Sequence, residues 1–355
     1  VNRLWAKATA ARGWSRALWS PLILLLRLTT PIYQWVSRRH LARRKASCSP
    51  VGRAKVISVG NITVGGSGKT PVVIHIAERL ISLGRKVVIV HSGYGRRSQE
   101  NIFVEYGKGP DCSVDAVGDE VAMMARRMPT AAFAVGRDKK QVGGEADRRF
   151  APDVIIIDDG YQRLDIQKNL DIVVISPDIF AGQARLFPGG ILRERLETLE
   201  RAHAVFIIHA DEIMLRERID AAARGFNAAA AILHWRLTLD GAETNGEIIG
   251  LESLLGLRPY LFAGIGSFPR MYGMVTHAGI QPAGWHDFGD HHRYTQADIE
   301  RLPRAAERCR ADTYLTTAKD AVKLGGLRFD RPVYTLRLAA QPVETEALNR
   351  MLEQV

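Results

Sequence analysis

VISVGNITVGGSGKTP, Val56 to Pro71, reads as a buried strand, a glycine-rich turn and the start of a helix. Val56 to Val59 form a short apolar run, Gly65, Gly66 and Gly68 permit close backbone approach and positive φ, and Lys69 and Thr70 open the helix. In such a loop the backbone amides converge on a polyphosphate, the lysine reaches its β and γ phosphates, and the threonine hydroxyl faces Mg²⁺. Pro71 agrees, because the first helical turn has no partner for the amide that proline lacks. Thr63 stands where the strict pattern has glycine, and a plain glycine turn between strand and helix is the competing reading. The expected phosphate-binding set is Thr63, Gly65, Gly66, Ser67, Gly68, Lys69 and Thr70.

A second apolar strand ends in acids at VIIIDDGYQ, Val154 to Gln162. Carboxylates at the C-terminal end of a parallel strand next to a phosphate loop can hold Mg²⁺ directly or through water. Thr70, Asp158 and Asp159 are therefore the expected metal shell, although Asp-Asp-Gly after a strand is also ordinary turn chemistry. Together the two motifs point to phosphoryl transfer or NTP hydrolysis.

Apolar runs at Lys86–His91, Ala131–Val135, Val154–Ile157, Asp171–Ser176 and Ala204–His209 alternate with helical periodicity at His75–Leu83 and Glu120–Met128. That alternation predicts an α/β fold: a P-loop NTPase-like, doubly wound parallel sheet. An irregular stretch is expected around Arg224 to Gly250. Strands at Tyr260–Ala263, Thr313–Thr316 and Val333–Leu336 then form a second, smaller α/β domain. The expected divisions are 1–45, an N-terminal segment; 46–225, the P-loop core; and 226–355, a C-terminal domain closing over the active-site cleft. The 355 residues, 46% of them hydrophobic, suffice for two cores, and three cysteines without paired spacing indicate neither a zinc site nor a disulfide framework.

Charge is unevenly placed. Of the 49 lysines and arginines, twelve fall in the first 55 residues, where there is no acid, so the formal excess of +11 lies at the N-terminus. It flanks an apolar run, LWSPLILLLRLTTPIYQWV, Leu18 to Val36, broken by Pro21, Arg27 and Pro31 and too short of uncharged residues to span a bilayer. Trp5, Trp14, Trp19, Tyr33 and Trp35 suit the headgroup region, and the flanking cations suit anionic lipid. The expectation is an interfacial helix on the cytoplasmic leaflet, with a helix packed on the protein as the alternative. A nucleic-acid partner is not expected, because the charge is not spread over a folded face with stacking aromatics.

GDEVAMMARR, Gly118 to Arg127, places Asp119 and Glu120 where a helix begins, as catalytic acids or as an N-cap. WHDFGDHHRYT, Trp285 to Thr295, crowds His286, Asp287, Asp290, His291 and His292 into a window that is catalytic, a metal cluster or a solvated loop.

Read in order, VGNITVGGSGKTP, GYGRR (Gly93 to Arg97), GDE, DDGYQ, LFPGGILRE (Leu186 to Glu194), FGDHHRYT and TTAKDAVKL (Thr316 to Leu324) resemble the tetraacyldisaccharide 4'-kinase family, the lipid A 4'-kinases of Gram-negative bacteria. The resemblance runs from the N-terminal segment to about Leu324. It implies two α/β/α domains with the site between them, on the cytoplasmic face of the inner membrane. It implies transfer of the γ-phosphate of ATP, with Mg²⁺, to the 4'-hydroxyl of a tetraacylated glucosamine disaccharide 1-phosphate; no obligate protein partner is inferred. By motif match Lys69 acts in catalysis with Asp119 as the catalytic aspartate and His291 as its partner, while Tyr94, Gln162, Arg193 and Asp290 contact the acceptor. A surface ion pair is the competing reading for Arg193. Because His291 falls in the expected second domain, closure around substrate is expected to bring it to Asp119.

Departures from the family pattern are Ser92 in place of arginine before Gly-Tyr, Ala318 in place of glutamate, and Gly289 in place of proline. They bear on specificity, since none touches Lys69, Thr70, Asp119, Asp158, Asp159 or His291. The rival from another class is a membrane-associated switch ATPase of the MinD or ParA kind. Its loop carries a lysine directly before the glycine pair, where this chain has Val64. A soluble P-loop kinase of a small metabolite is a further alternative, but it leaves the acid-free N-terminus unexplained.

Overall fold

The computed structural model describes residues 14–66, 68–180, 184–209 and 213–355. Trp5, the side chains of Trp14 and Trp19, and Ser67 of the phosphate-loop set lie outside the described residues. The principal helices are α1 Trp14–Ala46, α2 Lys69–Ser82, α3 Asp119–Arg127, α4 Lys139–Phe150, α5 Ile213–Phe226, α6 Phe268–His277, α7 Leu302–Arg308 and α8 Thr345–Glu353. The strands are β1 Lys55–Gly60, β2 Val87–His91, β3 Ile102–Val104, β4 Ala132–Val135, β5 Val154–Asp158, β6 Leu170–Ile175, β7 Ala204–His209, β8 Ala231–Thr244, β9 Glu247–Ile249, β10 Pro259–Ala263, β11 Gly284–Asp287, β12 Thr313–Thr317 and β13 Val333–Pro342. This is the expected P-loop-like α/β architecture.

The chain forms two compact units, each assembled from separated stretches: residues 1–69, 159–235 and 342–355 in one, and 70–158 with 236–341 in the other. A single cut at 225/226 would fall inside the first. In that unit β1 runs parallel to β6 and β6 to β7, with Ile57 opposite Leu170 and Ile172 opposite Ala204. Its core gathers Ile62, Tyr161, Val173, Leu192, Val205 and Ile207.

Helix α1 continues through Pro31, where the sequence reading saw an interruption. The Thr29 and Thr30 hydroxyls donate to the Leu26 carbonyl at 2.9 and 3.1 Å, local bonds of the kind that accompany a bent helix. One face of α1 packs on its unit. The Gly189 amide donates to the Thr30 hydroxyl at 3.2 Å, Tyr33 meets Phe187 edge-on at 5.1 Å, and Arg44 donates to the Gln162 carbonyl at 3.1 Å. The other face leaves Leu24, Leu25, Leu28, Ile32, Trp35 and Val36 exposed at helical spacing. Among the described residues no helix is long and apolar enough to cross a membrane.

In the second unit β5, β2 and β4 are parallel and fully buried, with β3 antiparallel to β4. Burial on both faces requires the unbroken apolar runs these strands show. Residues 236–341 contribute the parallel set β11, β10, β12 and β13. The stretch expected to be irregular is instead the end of α5 followed by the 14-residue strand β8, paired antiparallel with β9. Trp235 of β8 is fully buried against Phe206, ring centres 5.0 Å apart.

Candidate active site

The phosphate loop leaves β1 and enters α2 at Lys69, as its sequence dictates. Its entry is pinned by the segment around Leu192: the Val64 amide donates to the Ile191 carbonyl at 2.8 Å and the Arg193 amide to the Ile62 carbonyl at 2.7 Å. Asn61 donates to the Thr63 hydroxyl at 3.0 Å, so Thr63 is buried in the loop's own scaffold. Asp159, in the left-handed conformation at φ 50°, carries two cations: Lys69 at 3.3 Å and Arg193 at 3.0 Å. Gln162 donates to the Asn61 carbonyl at 2.9 Å and to Glu194 at 2.7 Å, and Glu194 also holds Arg201 at 2.8 Å. Arg193 and Gln162, expected to face the acceptor, here fix the loop's carboxylates and backbone. Glu194 belongs to this set although the sequence reading gave it no role.

In the second unit Asp119 is the first residue of α3 and is buried. Gly118 must precede it: φ is 90°, and a Cβ there would stand 2.9 Å from the Tyr94 carbonyl. The GYG loop and the start of α3 therefore touch backbone to backbone. Asp119 Oδ1 accepts from the Glu120 amide at 2.9 Å, and Oδ2 meets His291 Nδ1 at 3.0 Å. His291 comes from 172 residues away, held in the left-handed region at φ 55° with its amide donating to the Gly264 carbonyl at 3.1 Å. A non-glycine residue in that region is a strained placement that the surroundings must enforce.

The enforcement is visible. Phe288 packs on Phe262 at 6.3 Å, on His292 at 4.7 Å and on Tyr294 at 5.1 Å. Beyond the loop a Thr295–Asp298 capping box starts a helical turn, and His292 contacts the same Asp298 at 3.2 Å. Tyr94, itself exposed, lays its ring 4.8 Å from that of His291. Asp119 and His291 thus already form a pair within one unit, where the sequence reading required closure around substrate. The reason is topological: residues 236–341 fold back into the same unit as 70–158.

Two lysines of the TTAKDAVKL segment complete the cluster. Lys319 lies 3.3 Å from Glu120, 3.4 Å from Asp290 and 3.3 Å from His291 Nε2. Lys323 pairs with the fully buried Asp320 at 2.8 Å and lies 3.8 Å from Asp119. Burial pushes the Asp119 carboxyl up, but the His291 hydrogen bond and the Lys319 and Lys323 charges outweigh it and hold the group below its ordinary range. Glu120 is likewise ionised, since the His91 hydrogen bond and Lys319 overcome its burial. Lys319 is raised: burial opposes its charge, but Glu120, Asp119 and Asp290 favour it more strongly.

Asp158 ends β5 beside His91 of β2, whose Nε2 lies 3.6 Å from Asp158 and 3.3 Å from Glu120. These three residues converge closely enough to surround a cation. His91 Nδ1 accepts the Gly93 amide at 2.8 Å, so its Nε2 carries the proton and donates to the carboxylates. Of the three, the atoms able to face a cation are therefore the carboxylate oxygens of Asp158 and Glu120, a donor type that Mg²⁺ takes. The sequence reading passed over His91, Lys319 and Lys323, although the i, i+4 lysines of TTAKDAVKL were a signal that one face carries two cations.

An acid fixed to a histidine, in a chain whose parallel-sheet fold also carries a phosphate loop, places this protein among the P-loop phosphotransferases. The chain belongs to the tetraacyldisaccharide-1-P 4'-kinase family (LpxK), whose profile matches residues 17–355. It is 34% identical over 306 residues to the tetraacyldisaccharide 4'-kinase of Geobacter metallireducens, covering 84% of this chain and 88% of that one. It is 33% identical over 302 residues to that of Geobacter sulfurreducens, covering 84% and 83%. A crystal structure of LpxK from Aquifex aeolicus in complex with ATP superposes with a TM-score of 0.74 at 25% identity, covering 94% of this chain and 99% of that one.

Proposed function

We propose that the protein is the ATP-dependent tetraacyldisaccharide 4'-kinase of lipid A biosynthesis, phosphorylating the 4'-hydroxyl of a tetraacylated glucosamine disaccharide 1-phosphate. The 3.0 Å contact between Asp119 and His291 carries the reading. A sugar hydroxyl is a poor nucleophile at neutral pH, and Asp119, ionised, accepts its proton while His291 holds the carboxylate in place. Lys69 neutralises charge on the transferring phosphoryl group, and the loop amides hold the polyphosphate. A switch ATPase would instead pass the phosphoryl group to water and make no phosphorylated lipid.

Mg²⁺ fits the residues present, with the Thr70 hydroxyl and the Asp158 and Asp159 carboxylates as candidate ligands and Glu120 close to Asp158. When bound, it would neutralise phosphate charge as the γ-phosphoryl group leaves. Asp159 already balances Lys69 and Arg193, so exchanging one of these cations for the metal leaves no carboxylate unpaired.

The acceptor is a lipid, and we place the enzyme on the cytoplasmic face of the inner membrane through α1. Supporting this are its exposed apolar stripe and the basic cluster Arg38, Arg39, Arg43 and Lys45 near its C-terminal end. A groove of about 520 Å³ beside α1, lined by Arg27, Arg185, Arg195, Leu186, Leu192 and Phe226, offers cations and apolar surface together, as a phosphorylated acyl glycolipid requires. The decisive experiment is transfer of labelled γ-phosphate to a detergent-dispersed lipid A disaccharide precursor, with the product position mapped. Label at the 4'-position of the distal sugar is expected; ATP hydrolysis without a phosphorylated lipid would refute the reading.

A further inference from the structure

We propose that Lys319 is a positioning residue that locks His291 as the neutral tautomer with its proton on Nδ1, so that the imidazole donates to Asp119 and is not drawn toward Asp290. The inference rests on the proposed kinase reaction for its significance, but not for its test.

The tautomer follows from the partners. A lysine ammonium has donors and no acceptor, and an ionised carboxylate has acceptors and no donor. Lys319 Nζ lies 3.3 Å from His291 Nε2, so that nitrogen must present its lone pair. Asp119 Oδ2 lies 3.0 Å from Nδ1, so that nitrogen must carry the proton. Only the neutral Nδ1–H form satisfies both contacts, and a doubly protonated ring would place N–H against the ammonium.

A competitor for that proton lies close by. Asp290 Oδ1 lies 3.7 Å from His291 Nε2 and would accept a proton from it. Lys319 occupies that contact, reaching Asp290 Oδ1 at 3.4 Å and Glu120 Oε1 at 3.3 Å with its other hydrogens. Without the lysine the ring sits between two carboxylates, Asp119 and Asp290, and is free to turn its proton toward Asp290. That change weakens the hold on Asp119. The side chain is only 16% exposed, so solvent cannot substitute for the ammonium. Lys323, 3.8 Å from Asp119, is already engaged with Asp320 and does not reach Nε2.

The test is nitrogen-15 NMR of the histidine-labelled full chain, with the His291 signals assigned by their loss in His291→Gln. The wild-type protein is expected to show a protonated Nδ1 and a bare Nε2; an imidazolium or an Nε2–H ring there overturns the proposal without any variant. In Lys319→Met that signature should be lost and kcat should fall roughly a hundredfold, with KM for ATP little changed. In Lys319→Met/Asp290→Asn the competing carboxylate is gone, so the Nδ1–H signature should return and kcat should recover at least in part. An unaltered His291 signature in Lys319→Met, or a failure of both variants to fold, would make the lysine a structural ion-pair partner only and overturn the assignment. A wild-type protein with the expected tautomer that leaves the glycolipid unphosphorylated would instead refute the proposed function.

Discussion

Gly60→Ala should separate a strand end from the turn that follows β5. A Cβ at Gly60 would stand 2.5 Å from the Tyr161 amide nitrogen and 2.6 Å from its Cβ, whereas ordinary contact is about 3.5 Å, so the two segments must part by about 1 Å. Tyr161 cannot retreat: it is fully buried, its hydroxyl donates to the Thr198 carbonyl, and the Arg201 guanidinium lies 4.0 Å over its ring. Nor is β1 free, because Gly60 is in register with Val173 of β6. Overpacking of this kind costs roughly 1–3 kcal/mol, and a contact made of backbone and a pinned ring belongs at the upper end. We expect about 3 kcal/mol in urea denaturation, a roughly 150-fold fall in the folded-to-unfolded ratio. The phosphate loop begins at the next residue, so the same displacement should also cost turnover about a hundredfold. Gly225→Ala is the control: nothing lies within 4 Å of its added Cβ near the end of α5, and it should gain about 0.5 kcal/mol. An unchanged unfolding midpoint in Gly60→Ala would refute the reasoning, since it would mean that the strand or the ring yields freely.

Asp119→Asn and His291→Ala should each lower turnover by about two to four orders of magnitude while ATP binding, read by calorimetry, persists; near-normal turnover in either would remove that residue from the mechanism. Asp165 is pushed up by burial but held below its ordinary range by Arg163, with bonds of 3.0 and 2.7 Å. A depressed folded-state value means stabilisation present above the unfolded value of about 3.9 and lost as pH falls through the folded one. Wild type should therefore exceed Asp165→Asn in stability by a constant margin at neutral pH and lose that margin in acid; a margin flat down to the lowest pH measured would contradict the pairing. Leu28→Glu/Ile32→Glu changes only exposed positions of α1 and should sharply reduce cosedimentation with anionic vesicles while leaving the melting temperature unmoved. Undiminished cosedimentation would assign that face another role.

Much of this was legible in the chain. Buried parallel strands announce themselves as unbroken apolar runs, and the phosphate loop and Asp158–Asp159 sit at strand ends where local chemistry alone places them. Strand β8 escaped because His234, Arg236, Thr238 and Asp240 alternate with Leu233, Trp235, Leu237 and Leu239, and a period of two is easily read as polar disorder when charges are prominent. The continuity of α1 through Pro31 was also hidden, since proline argues locally for a break and packing against residues 187–189 overrides it. The Asp119–His291 pair could be named from motif resemblance but not located, because the return of residues 236–341 into the unit of 70–158 is a property of tertiary packing. Lys319 depends on the same return.

The footing of the His291 loop carries a thermal consequence. Phe288 is the keystone among Phe262, His292 and Tyr294 that keeps a histidine in a backbone conformation it would not choose. Shortening that ring to leucine should yield a heat-sensitive variant: an enzyme that turns over in the cold and stops when warmed, still folded but with its chemistry out of reach.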